Sequence, residues 1–557
     1  MSSQRYRWAA PGDVNAFFGL MLDNIADLLL AVGLLNLAFG FPTKFALHYM
    51  VPGTAVGVLV GDLLFFVLAL RLAKKTGRKD ITAMPLGLDT PSTFGLVLFV
   101  FGPVFLAAKS PESGMTIDQA AMYTWQIGIC AIFISGLFKI ACALGAGWIR
   151  RIVPRAGLLG SLAAIALVLI SFLPLLEILH TPIVGFAALA IILTTLVAKV
   201  RLPGRIPGAL GALLVGGLMY WAMDASGVLV HHARAAVIDP ADALLPTGWL
   251  TAFSFEWINV LGDSLRYLPI VIPFALATVV GGIDCTESAA AVGDEYNTTQ
   301  IIAVDALATL AAGLCGGMLQ TTPYIGHPAY KAMGGRAAYT LATAIFVGSA
   351  GLLGYFAYMY LVIPKAAIFP ILVFIGLEIT AQSFHATKKA HYPAVALACV
   401  PAMAALVTMF VGRIFGDRAL WENGIGLSTL KDATLRHDLL TVRVLSAGFI
   451  VTSLLWASML ASIIDHRLRV AALFAVFAAA ATLFGVIHSP LDTGAMFLPW
   501  DDAVQWPLPG AEEIPYRYAA GYAVVAVMLS VWDVRLAKSR SHDETESSTD
   551  APVRDTT

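Results

Sequence analysis

Apolar stretches of about twenty residues recur along the whole chain, and a stretch of that length spans the hydrocarbon core of a bilayer as a helix. Backbone amides find no water there, so such a chain folds as a bundle of helices that satisfy their own hydrogen bonds. Of 557 residues, 58% are hydrophobic and 13% charged, with mean hydropathy +0.79. One soluble core could not hold that much apolar surface, so the fold class is an all-α polytopic membrane protein. A net charge of −1 argues against a nucleic-acid partner. The five cysteines, Cys130, Cys142, Cys285, Cys315 and Cys399, fall in apolar segments. They read as small buried residues rather than a disulfide framework or a metal cluster. No cofactor, metal or catalytic residue is expected, and the polar start argues against a cleaved signal peptide.

About sixteen spans meet the length criterion, starting near Val14, Leu47, Ile81, Tyr123, Ile152, Pro182, Ile206, Leu265, Thr298, Thr322, Ala337, Ile368, Pro393, Val442, Val470 and Tyr516. Basic residues collect in alternate loops. Arg5 and Arg7 precede the first span, Lys74, Lys75, Arg78 and Lys79 follow the second, and Arg150, Arg151 and Arg155 follow the fourth. The pattern continues to Arg535, Lys538 and Arg540 after the last. The positive-inside rule puts these clusters on one side, so both termini are expected in the cytoplasm and the protein in the cell's inner membrane. The expected organisation is a cytoplasmic N-terminus (1–13), spans one to seven (14–224), an extracellular loop (225–264), spans eight to fourteen (265–464), two additional helices (465–538) and a disordered cytoplasmic tail (539–557). The pair His231-His232 falls in the outer loop and reads as solvated.

Two spans are interrupted alike, by Leu88-Asp89-Thr90-Pro91 and by Gln320-Thr321-Thr322-Pro323. Proline at the first helical position after a threonine is a helix-start signature, since the ring presets φ and the hydroxyl can accept an orphan N–H. Thr90 and Thr322 are therefore expected to start half-helices. Span three runs outward and span ten inward, so the two N-termini should meet near the midplane, the second half-helix running about 16 Å from Pro323 to the turn at Gly334-Gly335. Facing N-termini suit an anion or a ligand rich in acceptors. Two ordinary proline kinks are the plainer alternative, and the matched placement in two halves argues against it.

Ionisable residues inside spans are a second signal, because a mid-membrane carboxylate costs roughly 3 kcal/mol. Asp23, Asn24 and Asp27 sit in span one; Asp284, Thr286 and Glu287 sit in span eight. Asp89 stands beside the first Thr-Pro, and Tyr324 and His327 follow the second. A carboxyl stripped of water can carry a proton near neutral pH. The candidate substrate ligands are Asp284, Glu287, Asp89, Thr90, Thr322, Tyr324 and His327; the candidate proton-coupling groups are Asp284, Glu287, Asp23 and Asp27. Asp23 and Asp27 have a plainer reading as partners of neighbouring helices.

At these residues the chain resembles the nucleobase transporter family of uracil, xanthine and purine permeases, above all its hypoxanthine, adenine and guanine branch. The resemblance rests on Ile283-Asp284-Cys285-Thr286, Val304-Asp305-Ala306-Leu307-Ala308-Thr309, Tyr324-Ile325 with Gly334-Gly335-Arg336, and Ile368-Phe369-Pro370. It implies a fourteen-helix fold of two inverted seven-helix repeats, divided into a core domain (spans one to four and eight to eleven) and a gate domain, and a homodimer. The family's acidic ligand on span eight falls on Asp284. Its second acidic ligand falls on Gly326, so His327, Glu287 or Asp89 would have to substitute, or the substrate is another heterocycle. The expected function is secondary active uptake of a purine-like nucleobase or related heterocycle, coupled to protons or to sodium. One alternative is a sulfate-permease-like transporter of a small anion, although carboxylates would oppose a dianion unless protonated and no cytoplasmic domain follows. The other is a membrane-embedded enzyme, for which neither His-Glu-x-x-His nor Gly-x-Ser-x-Gly occurs.

Overall fold

The computed structural model describes residues 6–110, 113–152, 155–229, 239–324, 326–415, 426, 429–491, 494, 496–500, 504, 506 and 510–549. Its elements follow the apolar stretches in order. In the first half these are α1 (Gly12–Phe39), α2 (Thr43–Thr76), β1 (Leu86–Leu88), α3 (Thr90–Ala108), α4 (Ile117–Ile152), α5 (Arg155–Ile165, continued to Leu179), α6 (Pro182–Val197) and α7 (Gly208–Ala225). Then come α8 (Leu268–Ala291), α9 (Thr298–Leu314), β2 (Thr321–Pro323), α10 (His327–Ala332), α11 (Ala338–Leu352), α12 (Lys365–His385), α13 (Tyr392–Phe415), α14 (Phe449–Ile464), α15 (Leu468–Leu483) and α16 (Ile514–Thr549). Ten of the described helices are long and apolar enough to cross a membrane, or twelve when each of two bent pairs counts as one span. In those pairs α11 turns by 91° into Phe356–Val362, and Ala433–Ser446 turns by 77° into α14.

The packing of α1 to α4 with α8 to α11 is that of two interleaved repeats. Helix α4 packs on α9 and α11 packs on α2; α8 lies on α4 and α1 on α11; α3 meets α8 and α10 meets α1. Exchanging α1 with α8, α2 with α9, β1 with β2, α3 with α10 and α4 with α11 turns each contact into another on the list of six. At the centre α2 crosses α9, and β1 pairs antiparallel with β2. The helices approach closely because Gly53, Gly57 and Gly61 recur one turn apart on α2. A Cβ at Gly53 would lie 2.2 Å from the Cys315 carbonyl oxygen, and one at Gly57 2.7 Å from the Ala312 methyl. Small residues are what let membrane helices pack this tightly, since lipid offers no hydrophobic drive between them.

By packing, the chain divides into two compact units, Met1–Ile152 with Ile165–Ala381, and Val153–Ala164 with Gln382–Thr557. The later part of α5 together with α6, α7 and α12 joins the first unit, because α7 packs on α1 and α5 meets the start of α3. In the second unit α13 packs on α14, α14 on α15, and α15 on α16. There Trp456 Nε1 donates to the Tyr522 hydroxyl at 2.7 Å, and that hydroxyl lies 2.7 Å from His488 Nε2.

Two expectations need correcting. Span ten does not start its helix at Thr322: residues 321–323 are strand β2, and α10 begins at His327 and ends at Ala332. The extended pairing with β1 competes with the helix start, and a residue before proline is itself pushed towards extended backbone. The chain then turns at Gly334, which has φ +84. Helix α16 runs on to Thr549, past residue 539, where the tail was expected to begin. His231-His232 and Ile325 lie outside the described residues.

Candidate functional site

The strand crossing sits among the polar groups of the first unit. Beyond the β1–β2 register, the Asp89 amide donates to the Gln320 carbonyl at 3.0 Å and the Tyr324 amide to the Pro85 carbonyl at 2.9 Å. Helix α3 starts where expected, but its cap is Asp89 rather than Thr90. The Asp89 carboxylate accepts the Ser92 amide at 2.9 Å and its carbonyl the Thr93 amide, with Pro91 inside the first turn. A carboxylate is the stronger acceptor at a helix N-terminus, where it also meets the dipole. Thr90 is thereby freed to donate its hydroxyl to Asp27 Oδ2 at 3.0 Å.

Around the crossing each neighbouring helix contributes a polar side chain to the strand backbone. Asn24 on α1 accepts the Leu88 amide at 3.1 Å and donates to the Leu86 carbonyl at 3.4 Å. Asp62 on α2 accepts the Leu86 amide at 3.1 Å. On the other strand Lys139 of α4 donates to the Thr321 carbonyl at 2.6 Å, to Asp305 Oδ2 at 3.0 Å and to the Thr309 hydroxyl at 3.1 Å. Ser135, one turn before Lys139, donates to the Gln320 side chain at 2.5 Å, and that amide reaches Asp89 at 3.5 Å.

Charge in this region is unbalanced. Asp23, Asp27, Asp62, Asp89 and Asp305 are all buried, against the one buried ammonium of Lys139 among the described residues. Asp305 has Lys139. Asp23 and Asp27, one turn apart on α1, each keep an oxygen without a partner. Uncompensated burial of a carboxylate costs several kcal/mol, so these two oxygens need a proton or a cation from elsewhere. Asp23 Oδ2 and the Tyr324 ring both lie against Gly87, whose missing side chain leaves the space they border. Thr322 is paired with Gly87 across the strands and is half-buried.

The remaining sequence candidates lie on α8 and α10. Gly282 and Cys285 place one face of α8 against Pro323, the Cys285 thiol 3.3 Å from its carbonyl. Asp284 and Glu287 fall on the other face by helical rotation and are half-buried. His327 opens α10 and is wholly buried. Because α10 starts late, the imidazole meets the turn after α8, 3.3 Å from Asp294 and 3.1 Å from the Thr82 carbonyl, beside the Tyr296 ring. Asp294 also accepts Lys331 at 2.5 Å and the Thr82 amide at 3.1 Å. Burial alone would raise its pKa, but the bonds from His327, Lys331 and the Thr82 amide, with the Lys331 charge, hold it below the ordinary carboxylate value. Among the described residues no group of three His, Cys, Asp or Glu is placed to hold a metal ion.

Lys139, Asp62, Gln320 and Ser135 were not among the candidates read from the sequence. The rule that singled out Asp23 and Asp27, a charge inside an apolar span, applies equally to Asp62 in span two and Lys139 in span four.

No protein-family model matches the chain, and no curated protein does. Solved structures of related fold include the transmembrane domain of a cyanobacterium bicarbonate transporter, BicA, at 15% identity over 72% of this chain and 96% of that one, with TM-score 0.45. SLC26A9 aligns at 11% identity over 72% of this chain and 62% of its own, with TM-score 0.45. The murine Slc26a9 anion transporter in the inward-facing state aligns at 12% over 70% and 65%, with TM-score 0.38. At these identities the likeness concerns the fold alone. The resemblance to nucleobase permeases is corrected: the neighbours in fold are anion transporters of another family. The second acidic ligand it required also has no room, because a Cβ at Gly326 would lie 2.6 Å from Tyr324 Cε1 and 2.9 Å from Tyr330 Cε2.

Proposed function

We propose that the chain is a secondary transporter of a small anion, which moves together with protons. The observation that carries this reading is the strand crossing with Asp23 and Asp27 beside it, each with an oxygen that no protein group satisfies. The start of α3 directs the partial positive charge of its dipole to the same region, its Ser92 and Thr93 amides being already bonded to Asp89. While Asp23, Asp27 and Asp89 are ionised they repel an anion. Once protonated, a carboxyl becomes a hydroxyl donor, so the same side chains turn from repelling the anion to binding it. Anion and proton then bind as one unit, and neither crosses readily alone. In this reading Thr90, Thr322 and Tyr324 line the anion's place. Asp284 and Glu287, on the half-buried face of α8, serve proton access.

The test is uptake into liposomes that hold the purified protein, with formate, sulfate and bicarbonate as probes and an uncharged purine as comparison. Saturable anion uptake that quickens with acid outside and collapses with a protonophore is expected, and Asp27→Asn should slow it at least tenfold. Uptake of the purine with no anion moved, or anion uptake indifferent to the protonophore, would overturn the reading.

A further inference from the structure

Interleaved repeats make each half a control for the other. Leu86 pairs with Pro323, Gly87 with Thr322 and Leu88 with Thr321, so the two-fold relation passes through Gly87 and Thr322 and makes Leu86 the counterpart of Thr321. Asp62 on α2 receives the Leu86 amide on Oδ1 at 3.1 Å, and Asp305 on α9 receives the Thr321 hydroxyl on Oδ1 at 2.8 Å. Since α2 and α9 are matched helices, Asp62 and Asp305 are counterparts too.

Their second oxygens differ. Asp305 Oδ2 holds the Lys139 ammonium at 3.0 Å. Asp62 Oδ2 has no partner, although Asp62 is wholly buried. On α11, the match of the helix that carries Lys139, Thr343 is also wholly buried with an unpartnered hydroxyl. Among the described residues, Tyr330 of α10 and Tyr339 of α11 are ionisable groups within the field of Asp62. The Tyr339 hydroxyl is spent on the Ala83 carbonyl at 2.6 Å. On α9 the ionisable group is Asp305, already paired, and neither strand carries a titratable side chain. No lysine or arginine among the described residues forms an ion pair with Asp62 as Lys139 does with Asp305.

We propose that Asp62 is a proton-carrying site, binding a proton on Oδ2 where the second repeat keeps a fixed ammonium. The proton comes from water and returns to it, converting carboxylate to carboxylic acid and back, with no other bond changed. Oδ1 keeps the Leu86 amide in both states, so β1 stays in register while the charge beneath it changes. Deprotonation leaves a buried anion, which favours a conformation that admits water to the α2–β1 contact. A place in the transport cycle rests on the proposed function; proton binding itself does not.

Infrared pH-difference spectra of the full-length protein in lipid test this without any substrate. Wild type should show a titrating carboxylic C=O component that Asp62→Asn removes and Asp27→Asn leaves in place. Asp62→Glu, which keeps the acid on a longer arm, should shift that component and so gives a reading even where the amide variant does not fold. Identical titrating components in wild type and Asp62→Asn, or a component that follows sodium rather than pH, would overturn the assignment. Failure of anion uptake with the Asp62 component present would remove only the anion reading.

Discussion

Replacing Lys139 by methionine keeps an unbranched side chain one atom shorter and deletes its charge. The ammonium is fully buried and bonds three acceptors: Asp305 Oδ2 at 3.0 Å, Thr309 Oγ1 at 3.1 Å and the Thr321 carbonyl at 2.6 Å. Removing one partner of a buried ion pair costs about 3–5 kcal/mol. The Thr321 carbonyl also loses its donor, whereas Thr309 keeps its 2.9 Å contact with the Thr321 hydroxyl. One orphaned acceptor adds about 1 kcal/mol or more, so Lys139→Met is expected near the upper end of the pair's range. Adding Asp305→Asn removes the stranded charge and should restore roughly 2–3 kcal/mol. Equilibrium unfolding in lipid, followed by tryptophan fluorescence, measures both variants. Trp125 on α4 donates to the Gly316 carbonyl at 2.7 Å, so it reports on the same α4–α9 boundary. A single variant that costs less than about 1 kcal/mol, or a double variant no more stable than the single, would refute the reasoning.

Gly326→Glu should lower thermal stability and create no purine binding, because its Cβ would press on the Tyr324 and Tyr330 rings; a purine-induced stabilisation of the variant would contradict this. In the second unit, burial lowers the His488 pKa to about 4 against a weaker opposing bond from the Val444 carbonyl. The unfolded chain therefore takes its proton first, near pH 6.5, and stability should fall on acidification from about 6.5 to about 4 by on the order of 3 kcal/mol. Acid titrations of unfolding should show this limb flattened in His488→Phe, and parallel limbs would refute it.

Much of the architecture is written in local sequence. Apolar length sets the spans, and the Leu88-Asp89-Thr90-Pro91 break marks a true helix start. The similar break at Gln320-Thr321-Thr322-Pro323 misleads because its conformation is decided by a strand far away in the chain. Local propensity carries no information about Pro85 or Leu86. The same holds for the cap: Asp89 and Thr90 are both good N-cap residues, and what separates their roles is Asp27, more than sixty residues earlier, waiting for the Thr90 hydroxyl. A helix starting at Pro323 would carry His327 on its second turn; the later start of α10 turns it towards Asp294. Lys139 and Asp62 were visible as charges in apolar spans. Their pairing, and the lack of it, belongs to the crossing of the repeats.

The exchange of partners between the repeats has a consequence for biosynthesis. Helix α2 rests on α11, and α4 on α9, so neither half can reach its final packing before the other has been made. At about 5–20 residues per second, the ribosome needs tens of seconds to pass from the end of α2 to the end of α11. Throughout that interval Lys139 is in the membrane without Asp305, and the glycine stripe of α2 faces lipid instead of α9. A nascent chain in this condition depends on whatever shelters polar membrane helices during insertion. Truncation after α7 should accordingly yield a product that the cell degrades rather than a stable half-transporter.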